Sequence, residues 1–241
     1  MRLTFYYASF VFGLAAAVLC SIRIGKRKGL SRRDSAVFTA TGFTAGVLGA
    51  VLMACIYNAV LTVIAGDEPF SRSNFSLYGG LLFVPPLIIL PAKLGKISLS
   101  NVLDTCAAGV YLLIGTAKIG CAVYGCWYGI ECRHGIVNPQ TGLTVFPVQL
   151  LETVLCYIIA ALLYKLALSE KTPSGAVYPA GLIVYGTARF FAQFLRAHEI
   201  AAEADLIGFM DLWQTVSVIA VLYGAVWLLL RRRIVHTSNT P

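Results

Sequence analysis

The stretch Phe5-Tyr-Tyr-Ala-Ser-Phe-Val-Phe-Gly-Leu-Ala-Ala-Ala-Val-Leu-Cys-Ser-Ile-Arg-Ile-Gly-Lys-Arg-Lys-Gly-Leu-Ser-Arg-Arg33 sets the fold. From Phe5 to Ile24 it is almost entirely apolar, and Lys26, Arg27, Lys28, Arg32 and Arg33 follow at once. A helix crossing the hydrocarbon core needs about 20 such residues. Loops on the cytoplasmic side of a membrane collect Lys and Arg. The stretch therefore reads as one span that leaves the bilayer into the cytoplasm. It lacks the basic start and the small-residue cleavage site of a signal peptide, so a retained helix is expected.

The same alternation continues along the chain. Apolar runs predict helix 2 at Ser35–Ala65, helix 3 at Leu77–Ala92, interrupted by Pro85 and Pro86, and helix 4 at Asn101–Gly120. Helix 5 is expected at Pro147–Leu168, helix 6 at Val177–Ala197 and helix 7 at Phe209–Leu230. Lys93 and Lys96 follow helix 3, Lys165 and Lys171 flank the end of helix 5, and Arg231, Arg232 and Arg233 follow helix 7. The intervening loops carry Asp67, Glu68, Glu131, Glu199, Glu203 and Asp205. The expected fold is all-α: a polytopic membrane protein with seven transmembrane helices, its N-terminus outside and its C-terminus cytoplasmic. Residues 1–241 should form a single integral membrane domain.

Composition agrees. Only 12% of residues are charged and 58% are hydrophobic, where a soluble chain carries about 25% charge; lipid covers such a surface most simply. The net charge of +8 sits at helix ends, which argues against a nucleic-acid partner. Gly42, Gly46 and Gly49 in helix 2 suit close helix packing. Asn101 and Asp104 resemble an N-cap pair.

Helix 6 carries the sharpest chemistry. Arg189, Gln193 and Arg196 are spaced i, i+4, i+7 and share a face. Arg189 lies roughly 18 Å along a span of roughly 30 Å. A charge there costs at least about 2.5 kcal/mol, so it needs an ion-pair partner or an anion site. Arg196 suits the same site or snorkels to the outer interface. Lys118, late in helix 4, is a second such cation. Convergent cations make a clamp for phosphate, and in a bilayer the available phosphate belongs to lipid.

Tyr78-Gly79-Gly80 opens helix 3; the glycines allow close backbone approach. Helix 5 opens Pro147-Val148-Gln149-Leu150-Leu151-Glu152, with Gln149 and Glu152 on one face and Pro147 suited to the first turn. Glu152 is either the partner of Arg189 or Lys118, or a general base. Asp211 and Gln214 open helix 7 as a charge on the helix dipole and a polar cavity residue. Cys121, Cys126, Cys132 and His134 lie close in sequence, but their spacing does not match paired zinc ligands. A disulfide among the three cysteines or a reactive thiol is open. His134, His198 and His236 receive no role, and no metal or cofactor is expected.

In order and spacing, these segments resemble the prolipoprotein diacylglyceryl transferase family. Tyr7 falls where the family has a tyrosine. Tyr78-Gly79-Gly80-Leu81 resembles its His-Gly-Gly-Leu. Lys118-Ile119-Gly120-Cys121 with the following Gly-Cys-Trp-Tyr-Gly resembles its signature after helix 4. Pro147 to Glu152 resembles Pro-Ser-Gln-Leu-Tyr-Glu, and Tyr185 to Arg196 resembles its arginine-bearing helix 6. Tyr78 replaces the family's His, Lys118 its Arg, Cys121 its Asn, Cys126 its Glu and Gln193 its helix 6 Glu. Gly79, Gly80, Gly129, Gln149, Glu152, Arg189 and Arg196 are retained. Lys for Arg gives up bidentate phosphate contact.

The resemblance implies a bacterial inner-membrane enzyme that moves a diacylglyceryl group from phosphatidylglycerol to the lipobox cysteine of a prolipoprotein signal peptide. Arg189, Lys118 and Arg196 would stabilise the departing phosphate, Tyr78 or Glu152 would move the proton, and Tyr7, Gly79, Gly80, Gln149 and Gln193 would line the substrate. Other readings are a lipid-modifying enzyme with another acceptor, in which a Cys121 or Cys126 thiol carries the group transiently, and a non-catalytic lipid-binding or transport protein.

Overall fold

The computed structural model describes residues 1–65, 77–197 and 210–237. They form seven helices and one short hairpin: α1 (Arg2–Arg27), α2 (Arg32–Ala65), α3 (Leu77–Leu94), α4 (Leu99–Tyr124), β1 (Glu131–Val137), β2 (Thr144–Val145), α5 (Val148–Leu168), α6 (Val177–Gln193) and α7 (Leu212–Thr237). Six of these helices, all but α6, are long and apolar enough to cross a membrane. The protein is therefore helical and multi-pass. Asp67, Glu68, His198, Glu199, Glu203, Asp205 and Phe209 lie outside the described residues.

Several boundaries move. α1 extends beyond the expected ends because its polar termini continue the helix outside the apolar window, and α4 runs on through Cys121-Ala122-Val123-Tyr124 until Gly125, at a left-handed φ, closes it. α3 is continuous through Pro85, Pro86 and Pro91, so the prolines do not interrupt it. α6 stops at Gln193 instead of Ala197; the chain then turns and pairs Arg196 with Gly129 in an isolated antiparallel bridge. The α4–α5 connection, expected as loop, carries the antiparallel strands β1 and β2.

Small residues set the helix crossings. α1 packs on α4 and α2 on α3. A methyl group on Gly109 would press into the Ala17 backbone, and one on Gly13 into Leu113. Gly49 and Gly79 face each other so closely that a side chain on either would strike the other's carbonyl oxygen. Without a hydrophobic drive between helices in lipid, close backbone contact of this kind supplies the packing energy.

Loops α1–α2, α3–α4 and α5–α6 gather at one end, here the basic end, and the hairpin marks the other. At the basic end Asp104 is fully buried (0% exposed). It does not serve its own helix: Ser98 caps α4 by accepting from Asn101 N–H. The Asp104 carboxylate instead accepts from the backbone N–H groups of Gly175 at 2.6 Å, Val177 at 3.0 Å and Tyr178 at 3.1 Å, and pairs with Lys28 Nζ at 3.2 Å. One side chain of α4 thus satisfies the orphan donors that open α6. That fixes the height at which α6 carries Arg189.

Candidate functional site

About 21 Å further along α4, fourteen residues at about 1.5 Å each, lies a second buried carboxylate. Glu152 of α5 is 4% exposed. Arg189 Nη1 of α6 stands 2.5 Å from its Oε1, and Lys118 of α4 pairs with its Oε2. Three helices therefore contribute one charge each to a single buried cluster, with one net positive charge. Arg189 itself is 7% exposed. Glu152 is thus the partner that Arg189 and Lys118 required.

The cluster sits on a cavity of about 510 Å³. Arg189, Lys118, Cys121, Tyr78, Gly80 and Tyr7 line it at this end, and the remainder, from Leu14 through Val84 and Ile88 to Val102, is almost wholly apolar. A pocket with a cationic head and a long apolar body fits an amphiphile with an anionic headgroup. The indole of Trp213 also lines it, and among the described residues its N–H has no acceptor.

Arg196 does not snorkel. It is 4% exposed, and its guanidinium lies 3.7 Å over the ring of Trp127, a cation–π contact. Trp127 takes a left-handed φ of +56, uncommon for a non-glycine residue. It meets Trp213 edge to face at 6.1 Å, and Trp213 stacks on Tyr57 at 5.5 Å. The hairpin loop thereby roofs the cavity with aromatic rings. Gly129 is packed against the carbonyls of Phe146 and Leu195, where only glycine fits.

The other expected site residues divide. Tyr78 lines the cavity, but its hydroxyl bonds Ser217 at 2.6 Å instead of the charged cluster. Gly79 faces α2 as a packing residue, whereas Gly80 lines the cavity. Gln149 donates to Cys126 O at 2.8 Å, tying α5 to the loop. Gln193 donates to Asp211 Oδ2 at 2.7 Å. Asp211 and Gln214 form a capping box, each side chain accepting from the other's backbone N–H at 2.6 and 3.0 Å. Gln214 is thus a helix-cap residue, not a cavity liner. These contacts join α6 to the start of α7.

All seven cysteines are free thiols. Cys121 lines the cavity one turn beyond Lys118, and Cys126 donates weakly to Cys121 O at 3.9 Å. A hydrogen bond with the Cys121 thiol, with burial behind it, pushes the Cys126 thiol up. Among the described residues no three His, Cys, Asp or Glu side chains converge as metal ligands.

Trp127, Trp213, Ser217 and Asp104 were not singled out as site or positioning residues by the sequence reading. For Trp127 the signal lay in the Gly-Cys-Trp-Tyr-Gly stretch itself, two residues after the Gly125 that closes α4.

A family model for prolipoprotein diacylglyceryl transferase matches residues 1–230. A Clostridium perfringens phosphatidylglycerol–prolipoprotein diacylglyceryl transferase 2 is 25% identical over 238 residues, covering 92% of this chain and 89% of the relative. A Clostridium tetani phosphatidylglycerol–prolipoprotein diacylglyceryl transferase is 26% identical over 201 residues, covering 79% and 80%. A Salmonella arizonae transferase of the same name is 25% identical over 267 residues, covering 97% and 90%. The chain belongs to the prolipoprotein diacylglyceryl transferase family.

Proposed function

From that membership we propose that this chain transfers a diacylglyceryl group from phosphatidylglycerol to the thiol of a lipobox cysteine. The observation that carries the reading is the Lys118–Glu152–Arg189 cluster at the head of an apolar cavity. The phosphodiester takes the cations, the acyl chains fill the apolar body, and Trp213 offers its free N–H to the headgroup.

The acceptor sulfur attacks the glyceryl carbon that bears the phosphate ester. A carbon–sulfur bond forms, the carbon–oxygen bond breaks, and its electron pair leaves on the phosphate of glycerol phosphate. Lys118 and Arg189 face that growing charge from two helices, and Arg196, held on Trp127, adds a third positive charge at the roof. The thiol proton needs an acceptor. Phosphate and Glu152 compete for the same two cations. Once phosphate holds them, Glu152 is the carboxylate left beside the reacting thiol. Tyr78, engaged with Ser217, shapes the wall. Tyr7, Gly80, Gln149 and Gln193 bound or brace the pocket.

A cysteine carrier fits this chemistry poorly. A thioether formed on Cys121 or Cys126 would have to expel a thiolate from saturated carbon to pass the group on, which makes it an end product.

The proposed arrangement is one membrane unit over residues 1–241 in a bacterial plasma membrane, with α6 as the seventh span. The Lys- and Arg-rich loops put the basic end in the cytoplasm and the hairpin end, with the N-terminus, outside. There the prolipoprotein signal peptide would present its cysteine.

The test uses purified protein in phosphatidylglycerol micelles with a synthetic lipobox peptide, read by peptide mass. A diacylglyceryl mass increase that is lost in Arg189→Ala is expected. An unmodified peptide, with an authentic family enzyme active in the same mixture, would rule the reaction out.

A further inference from the structure

The end of α4 folds one cysteine back onto the turn that carries another. Gly125 closes the helix at φ +96, and its N–H bonds Cys121 O at 2.8 Å. This left-handed close folds the next residue back over the last turn. That residue is Cys126, whose Sγ lies 3.9 Å from the backbone carbonyl oxygen of Cys121. Cys121 faces the cavity, Trp127 lines it as well, and the half-buried Cys126 lies between them in the chain. The remaining cysteine of this loop, Cys132, sits on β1.

We infer that Cys121 and Cys126 are a redox-active dithiol, an oxidative modification site that closes to a disulfide across the mouth of the cavity. Its oxidant is a small-molecule disulfide. Cys121 Sγ attacks one sulfur, a mixed disulfide forms, and the first small thiol leaves carrying the proton lost by Cys121. Cys126 Sγ then displaces the second small thiol, which takes the second proton. Two protein thiols are oxidised and one disulfide is reduced to two thiols.

The bond links structures on either side of the site. Cys121 belongs to the helix of Lys118. Cys126 receives Gln149 of α5 on its carbonyl and precedes Trp127, on which Arg196 rests. Closing it fixes the loop to the helix and narrows the way in to the cations. The oxidising surroundings follow from the proposed outside position of the hairpin end, and the effect on turnover rests on the proposed transferase reaction.

The experiment equilibrates the full chain in detergent micelles with graded ratios of reduced to oxidised glutathione, alkylates it, and maps cysteine peptides by mass. The expected peptide spanning Cys121 and Cys126 is two hydrogens lighter and escapes alkylation, while Cys132 stays alkylated. In Cys126→Ser a glutathione adduct should accumulate on Cys121. Alkylation of both thiols at every ratio, or a link from either to Cys132, overturns the inference. After glutathione is removed, transfer to the lipobox peptide should be about tenfold slower in the oxidised chain and return with reductant. Equal turnover of the two forms overturns the narrowing of the mouth. Absence of turnover in both forms counts against the transferase reading, while the peptide map still decides the disulfide.

Discussion

Two buried carboxylates on neighbouring helices have opposite kinds of partner. Asp104 at the basic end is held by three backbone N–H groups and one lysine. Glu152 near the hairpin end is held by two side-chain cations. Backbone donors at a helix start cannot leave without unwinding the helix, so Asp104 is built into the architecture. Lysine and arginine side chains can turn to another anion. Glu152 lines up cations that a phosphate can claim, and the cavity beside it gives the phosphate a route. What a buried charge does depends on whether its partners can be exchanged.

The largest effect expected from breaking this contrast is at Asp104. Asp104→Ala leaves three backbone donors and Lys28 without their acceptor, at about 3–5 kcal/mol. Thermal unfolding in detergent should show a strongly destabilised chain, and activity should fall with folded protein. A variant as stable as the wild type would erase the distinction between the two carboxylates.

Next comes Arg189→Ala, expected to lower transfer about 10²–10³-fold while most of the protein remains folded, because Glu152 keeps Lys118. Unfolding midpoint and turnover, measured on the same preparation, separate the two effects. Loss of stability matching that of Asp104→Ala would make the Glu152 cluster architectural too.

Lys118→Arg sharpens the comparison in the other direction. A guanidinium offers phosphate two parallel hydrogen bonds where an ammonium acts as a point charge. Turnover per bound lipid should rise by about threefold, a gain of roughly 0.6 kcal/mol against RT near 0.59. A fall would mean that the pocket is shaped for the shorter head of lysine.

The smallest effect is expected at Tyr78→Phe. It removes one hydrogen bond to Ser217, whose hydroxyl also donates to Trp213 O at 2.7 Å. A stability loss of about 1 kcal/mol with little change in turnover places Tyr78 in the wall. A loss of turnover as deep as that of Arg189→Ala would instead make it a proton carrier.

The spans were legible because the bilayer demands long apolar runs, and the run from Phe5 to Ile24 obeys that demand locally. Arg189, Lys118 and Glu152 were legible for a related reason: a charge inside such a run must have a partner. Partners whose identity depends on chain return were not. Asp104 looked like the cap of its own helix, yet it caps α6, more than seventy residues later. Arg196 was left between the cationic site and the outer interface because periodicity carried α6 past Gln193. The helix ends there, and the chain folds the guanidinium onto Trp127. Trp127 itself needs a left-handed backbone, which no apolar pattern announces.

The Asp104 contact also bears on the order in which the protein enters its membrane. α6 is the shortest of the seven helices, at 17 residues, and carries Arg189, whose insertion alone costs at least about 2.5 kcal/mol. Its first turn depends on a carboxylate from α4, its arginine on a carboxylate from α5, and the bridge beyond its end on the loop between them. All three precede it in the chain. On the proposed seven-span arrangement, α6 would emerge during synthesis to find its anchors already in place and would be inserted by its predecessors. A permuted chain that began with α6 would present it to lipid before any of them existed.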